Sequence, residues 1–348
     1  MRFRSITVTL CLLACALFAR PLASNAAAPL LLQTPTLSST EIAFAYGGDL
    51  WIVPRSGGAA RRLITGFNLG SSPHFSPDGT QIAYSGDYDG NIDVYVVAAA
   101  GGEPRRLTSH PAPDIAVGWT PDGKNVIFES SMLNTNDSNR LFTVPASGGY
   151  PVPLPFTAAE DGSYSPDGSH LAYTPGFRWE PFWKGYRGGQ TTPIWVADLS
   201  DSHVVRVPRE NSNDDTPMWL GDRVYFLSDR NGPVTLFAFD PRSMRVSRVL
   251  PAEGFDITSA SAGPDAIVYS QFGALKIFDP KTGTAHGVNV TIAADLPQVR
   301  PHFAHVGTSI NNANVSPTGV RAVFEARGSI LTVPAEHGSI RTIAAASG

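Results

Sequence analysis

The four residues Ser76-Pro77-Asp78-Gly79 limit the fold more than any other stretch, because the chain keeps rewriting them. They return as Thr120-Pro121-Asp122-Gly123, as Ser165-Pro166-Asp167-Gly168 and, altered, as Ser316-Pro317-Thr318-Gly319. Looser copies stand at Leu220-Gly221-Asp222-Arg223 and Ala262-Gly263-Pro264-Asp265. Proline presets φ at the second position of a tight turn, aspartate bonds nearby backbone, and glycine tolerates the last position. A turn that recurs about every 44 residues marks one supersecondary unit used repeatedly.

The second unit shows the plan. Pro73-His74-Phe75 leads into the turn, residues 81–85 read as a strand, 87–91 as a polar hairpin and 92–98 as an apolar strand. Gly101-Gly102 turns the chain again, and 104–108 is a last, more polar strand. The unit is therefore four short antiparallel strands with turn chemistry at each corner. The first unit reads as strands 34–37, 41–46, 50–54 and 61–63, and the third as 117–119, 125–129, 140–145 and 152–154. The fourth has 169–173, a long insertion, then 194–199 and 203–207. The fifth has 223–227, 234–240 and 245–250, and the sixth 266–270, 274–279 and 288–292. Six such units, repeated radially with no helical pattern between them, predict an all-β fold, a six-bladed β-propeller over residues 29–292. A unit of about 43 residues fits propeller blades better than the coils of a stacked solenoid.

Residues 293–313, with Pro297 and Pro301, read as a linker. A seventh unit follows, with strands 314–316, 321–325, 329–334 and 340–343. It is expected to be the first blade of a second propeller, incomplete within 314–348, because a repeat unit depends on its neighbours to cover its faces. The chain is accordingly expected to be a piece of something longer. A single seven-bladed ring is the alternative, against which the proline-marked junction argues.

Residues 1–28 read as a signal peptide. Arg2 and Arg4 precede an apolar run over 6–19, and Ala23, Ala26, Ala27 and Ala28 suit a signal peptidase. Leu12-Leu13-Ala14-Cys15 offers a lipobox as the rival reading. Export, to a periplasm, is expected either way. Both cysteines, Cys11 and Cys15, lie in this segment, so the mature chain has neither a disulfide nor a thiol nucleophile. Loss of Arg2, Arg4 and Arg20 moves the net charge from -4 to -7. Charged residues are only 16% and no basic patch stands out, so nucleic acid is not an expected partner. No membrane span is expected after signal removal.

No catalytic set, metal site or cofactor is expected. There is no G-x-S-x-G and no H-E-x-x-H. Residues 87–93 superficially resemble a calcium loop, but the glycine and the closing glutamate are misplaced, and an Asp/Gly turn is the plainer reading. The histidines are scattered, and His302 and His305 lack acidic or cysteine partners at ligand spacing. The unusual segment is the insertion over 174–193. It carries Arg178, Trp179, Trp183, Lys184, Tyr186 and Arg187. Aromatics interleaved with cations suit binding of a peptide and its carboxylate. They equally suit an interface with another domain or subunit, a homo-oligomer included.

Trp183-Lys184-Gly185-Tyr186-Arg187-Gly188-Gly189 followed by Ile194-Trp195 resembles the corresponding loop of tricorn-type serine proteases. Ala45-Tyr46-Gly47-Gly48-Asp49-Leu50-Trp51 resembles that family's first blade, and Arg321–Gly328 (RAVFEARG) the start of its second, seven-bladed propeller. The resemblance covers about residues 30–348. It implies a large peptidase acting on oligopeptides, with two propellers gating a chamber and later PDZ-like and catalytic modules that hold the serine, histidine and glutamate. None of those catalytic residues falls within this chain. Some archaeal relatives have an arginine pair just before the third blade that holds the substrate's C-terminus; residues 109–114 here contain no arginine, leaving that role to Arg178, Lys184 or Arg187. The signal peptide is a second departure, since the archaeal enzymes are cytosolic. The resemblance implies a substrate-gating or docking propeller of an exported tricorn-like peptidase, partnered by peptides or the protease modules. The alternatives are a stand-alone TolB-like periplasmic interaction propeller and the propeller of a prolyl-oligopeptidase-like hydrolase.

Overall fold

A computed structural model of the chain describes residues 30–66, 72–134, 138–176, 185–201, 203–296, 299 and 305–345. The signal-peptide reading therefore lies outside the described residues. The recurrent turn forms as its chemistry requires. In the second unit the Ser76 hydroxyl donates to Asp78 Oδ1 (2.6 Å) and accepts from the Gln81 amide (3.0 Å), while the Thr80 amide donates to Asp78 (3.0 Å). Thr120 with Asp122, and Ser165 with Asp167, repeat the same set. Gly79, Gly123 and Gly168 close these turns at positive φ, where glycine has no Cβ penalty. The hydroxyl and amide donors hold Asp78 and Asp122 below the usual carboxylate range and take Asp167 to about 2.

Each turn joins the inner strand of a blade to its second strand. The inner strands are Gln33–Leu37, His74–Phe75, Asp114–Trp119, Asp161–Tyr164, Asp214–Leu220 and Ile257–Ala262. Each begins a four-stranded antiparallel sheet whose strands follow chain order outward. Successive inner strands pack side by side, and Gln33–Leu37 packs on both Ile257–Ala262 and His74–Phe75, so the six sheets close into a ring. The chain forms the six-bladed propeller that its repeats predict.

The second and third strands of each blade are apolar on both faces because every sheet is sandwiched between two others. Along Gln81–Asp87 and Ile92–Ala98 the side chains alternate between two neighbours. Ile82, Tyr84, Tyr95 and Val97 pack on the first blade through Ala43, Leu50 and Ile52. Ala83, Val94 and Val96 pack on the third through Val126, Phe128 and Phe142. The outer strands, such as Arg105–Arg106, are exposed, which is why they read as polar.

All four strands of the first blade come from one stretch of chain, so no strand exchange locks the ring. Besides the packing of Gln33–Leu37 on the sixth blade, contacts among the described residues hold the seam. The Leu32 amide donates to the Gly273 carbonyl (3.0 Å), Arg55 pairs with Asp265 (2.7 Å), and Val290–Thr291 runs parallel to Gly58–Ala59. That last pair corrects the sequence reading of the sixth unit. Its outer strand is Thr284–Val288, and the residues after it form a strap to the first blade.

A second compact unit runs from Asp295. It holds one four-stranded sheet, Ile310–Val315, Arg321–Ala326, Ser329–Pro334 and Arg341–Ala345. Its inner strand starts at Ile310, inside the stretch that reads as linker, and its apolar residues Val315, Val320, Ile340 and Ile343 are exposed. The strand pattern matches the other blades, but among the described residues no second sheet is packed against this one within its unit.

Candidate functional site

The six inner strands surround a cavity of about 770 Å³ along the axis of the ring. Its two ends differ. At the end with the recurrent turns the wall is proline and tryptophan: Pro77, Pro121, Pro166, Trp119 and Trp219. Trp119 is fixed there by donating its indole N–H to the His74 carbonyl (2.9 Å).

The opposite end is where second strands hand over to third strands and where each inner strand begins. Four carboxyl groups line it: Glu129, Glu160, Asp161 and Asp215. They come from three blades. Glu129 lies near the end of Asn125–Ser130, Glu160 and Asp161 open the fourth blade, and Asp215 opens the fifth. The antiparallel register brings them to one level, with Glu129 opposite Ile115, Asp161 opposite Thr174 and Asp215 opposite Leu227. Burial, and then the hydrogen bond and charge of Glu160, hold Glu129 well above the usual carboxyl range. Asn139 Nδ2 donates to Glu160 (3.0 Å) and steadies the pair. Burial pushes Asp161 up to about 7; the Gly162 amide (2.7 Å) opposes the shift and the charges of Asp215 and Glu160 add to it. His74 also lines the channel, and burial takes it down to about 4, so it brings no positive charge at neutral pH. Among the described residues that line the channel there is no lysine or arginine.

A raised carboxyl pKa means that the folded chain binds a proton the unfolded chain releases. The stability it contributes is present below about pH 4 and is lost as pH rises through about 7. Asp161 is partly open to the channel, so water relieves some of the burial cost. Asp161→Asn is therefore expected to stabilise the chain progressively between pH 5 and pH 8, by about 1–2 kcal/mol across that window. Urea midpoints at the two pH values measure it, and an equal effect at both would contradict the assignment.

Of the six loop residues singled out from sequence, Arg178, Trp179, Trp183 and Lys184 lie outside the described residues. Tyr186 and Arg187 are described. Arg187 pairs with Asp229, Nη1 to Oδ2 at 2.9 Å, and its other nitrogen donates to the Asp229 carbonyl (3.0 Å). Asn213 Nδ2 bonds the same carboxylate (2.9 Å), and Asn211 Nδ2 donates to the Arg187 carbonyl. Arg187 thus ties the end of the fourth-blade insertion to the fifth blade. The insertion leaves and rejoins its blade at the acidic end of the channel, between Thr174 and Trp195. The acidic residues themselves carry only a faint sequence signal, the doublets Glu160-Asp161 and Asp214-Asp215 ahead of two inner strands.

Residues 29–284 match the profile of the tricorn protease N-terminal beta propeller domain. The chain belongs to this family. It is 27% identical to tricorn protease homolog 1 of Streptomyces coelicolor, over 92% of the chain and 30% of that relative. It is 25% identical to the tricorn protease of Thermoplasma acidophilum, over 73% of the chain and 24% of that protein. The crystal structure of the tricorn protease superposes with a TM-score of 0.69 at 20% identity, covering 91% of the chain and 31% of the solved one. The chain spans less than a third of the length of these relatives. The family resemblance read from the loop and the first blade is therefore correct, and the tricorn propeller carries an acidic channel end here. No helix among the described residues is long and apolar enough to cross a membrane, and no group of three or more His, Asp or Glu among them could hold a metal ion.

Proposed function

We propose that this chain is the peptide-handling propeller of an exported tricorn-like serine peptidase, admitting or docking oligopeptides at its axial channel. Chemistry would belong to catalytic modules of the kind found in its longer relatives. The observation that carries the reading is the channel itself. It is about 770 Å³, within the size range of ligand sites, and it has an acidic end and a proline- and tryptophan-walled end. Family membership supplies the peptide as the class of ligand. The charge and apolar pattern of residues 2–28 supports export. The sheet of the second unit, with its exposed apolar residues, suits the first blade of a second propeller.

Gly118 offers a direct test. It lines the channel on the third blade, and a Cβ there would find its nearest neighbours, the Gly162 carbonyl and Ile127, at 4.0 Å. Gly118→Trp is expected to leave the unfolding free energy from urea titration within about 1 kcal/mol of the parent while weakening oligopeptide binding more than tenfold. Fluorescence anisotropy with a labelled hexapeptide reads the affinity. Unchanged affinity with the channel plugged would send the peptide to another surface.

A further inference from the structure

We infer that a peptide in the channel adds itself as an extended strand to the inner edge of the sixth blade, pairing its backbone with the N–H and C=O groups of Ala260 and Ala262. The inference rests on the channel being a peptide passage, and it names the edge that holds the peptide and the chemical feature this edge reads.

Every inner strand is the terminal strand of its sheet, so one edge pairs with the second strand and the other faces the axis. Along an antiparallel pair, alternate residues turn their backbone groups toward the partner and away from it. In the sixth blade the Gly263 amide closes the turn by donating to the Ala266 carbonyl (2.8 Å), and the register runs without a slip from Ala262 opposite Ile267 to Ser259 opposite Ser270. Ser261 and Ser259 therefore bond the second strand. Ala262 and Ala260, the first and third residues before the closing one, aim N–H and C=O at the cavity that both line. The closing residues of the other blades are Ser38, Ser76, Thr120, Ser165 and Leu220. Each of those five edges is interrupted at one or both of the two places. Proline stands at the third place in the first, second and fifth blades, as Pro35, Pro73 and Pro217, and has no N–H to offer. In the third blade Val117 at that place is the bulged residue, and the Ala116 amide beside it donates to the Ser85 hydroxyl (2.8 Å). In the fourth the Gly162 amide donates to Asp161 Oδ1 (2.7 Å). At the first place, the Phe75 and Trp219 amides donate to hydroxyls of the preceding inner strand, Thr36 (3.4 Å) and Ser163 (2.9 Å). The residue in line to cap Ala262 in that way is Met218, which has no hydroxyl. Neither the Ala260 nor the Ala262 amide meets an acceptor among the described residues.

Two open positions, two residues apart, are what an added strand requires. Each offers one donor and one acceptor, and an extended peptide returns one of each at alternate residues. The cavity, about 770 Å³, is of the size that takes one small ligand and is too small for a folded partner. The hydroxyls of Ser259 and Ser261 are already engaged, with Ser270 and Thr36, so the edge presents main chain. Pairing of this kind reads no side chain. It accepts extended oligopeptides of varied sequence and rejects those whose alternate amides carry an alkyl group, as proline does.

Isothermal titration of the whole chain with two hexapeptides of the same side chains separates the outcomes. One peptide has all its amides free, and the other is N-methylated at its four central residues. The free-amide peptide is expected to bind at least about tenfold tighter. Ala260→Pro puts a ring where the channel-facing N–H stood and spares the bonds to the second strand, as proline does at the same place in three other blades. It should shrink the difference to about threefold or less and leave the affinity of the methylated peptide unchanged. Hydrogen exchange of the parent chain gives a second readout that needs no variant. Saturating free-amide peptide should slow exchange within residues 258–263 at least about tenfold and leave the inner strand of the fifth blade unchanged. Equal affinities of the two peptides for the parent chain would overturn the pairing while leaving the passage intact. A free-amide preference that survives Ala260→Pro, or unchanged exchange within 258–263, would overturn the sixth-blade edge as the place of pairing. Failure of both peptides to bind would overturn passage and pairing together.

Discussion

Replacing Arg230 with methionine is expected to lower the unfolding free energy of the propeller by about 3–5 kcal/mol. Arg230 is the counter-charge of Asp214, whose side chain is fully buried, and the two meet at 2.8 Å. The hydroxyls of Ser212 and Ser228 occupy the other carboxylate oxygen. The guanidinium also lies 5.1 Å above the rings of Phe226 and Phe237, so it bridges a charge and an aromatic wall. Methionine would fill much of the space and leave the carboxylate buried without its partner. The third blade shows the other solution. Asp114 stands opposite Ser130 as Asp214 stands opposite Ser228, but Met132 occupies the place of Arg230. There burial pushes the carboxyl up, against the pull of the Ser130 and Thr108 hydroxyls. Adding Asp214→Asn to Arg230→Met should therefore recover about half of the loss, because the stranded charge is removed. Urea midpoints of the single and double variants test this. A loss under about 1 kcal/mol for the single variant would mean that the pair does not hold the fifth blade together.

The second large effect is expected at the seam where the ring closes. Gly263 ends the inner edge of the sixth blade against Leu37 of the first, and a Cβ there would come within 2.6 Å of Leu37 Cγ and 2.7 Å of its carbonyl oxygen. The side chain could turn aside, but the carbonyl belongs to the backbone of a buried strand. Gly263→Ala is expected to cost about 1–3 kcal/mol, the usual range for overpacking. The cost should appear as a separation of the first and sixth blades. Hydrogen exchange should speed up in Gln33–Leu37 and at the Val290–Thr291 strap before it does in the third and fourth blades. Uniform acceleration around the ring would show that closure is not the weak point.

Much of this fold is legible in the sequence because its turns are chemically specific. A hydroxyl, a proline, an aspartate and a glycine in that order leave one backbone solution, and the chain adopts it in the second, third and fourth blades. The apolar second and third strands are legible for a related reason, being covered on both faces. The inner strands of the fourth, fifth and sixth blades are not. They face a channel, so they lack apolar alternation, and in the fifth and sixth blades a bulge also breaks the period of two. The register slips between Asp215 and Met218 and between Ile257 and Ser259, and Thr216 sits at φ 53°. The strap at Val290–Thr291 is equally hidden, since its partner Gly58–Ala59 lies more than two hundred residues away in sequence. The candidate site was legible only as a loop. Arg187 has the composition of a free cation, but the fold supplies Asp229 as its partner. The acidic residues of the channel end come from three blades and become neighbours only once the ring is closed.

The central claim is that peptides occupy the axial channel of this propeller. The most direct measurement is photo-crosslinking of the whole chain with a hexapeptide carrying a diazirine side chain, followed by mass spectrometry of the labelled residues. Labels are expected on the inner-strand residues that line the channel, Ile115, Val117, Ser163, Thr216 and Ser259. Competition by unlabelled peptide should remove them. Labels confined to the outer strands or to the second unit would contradict the claim.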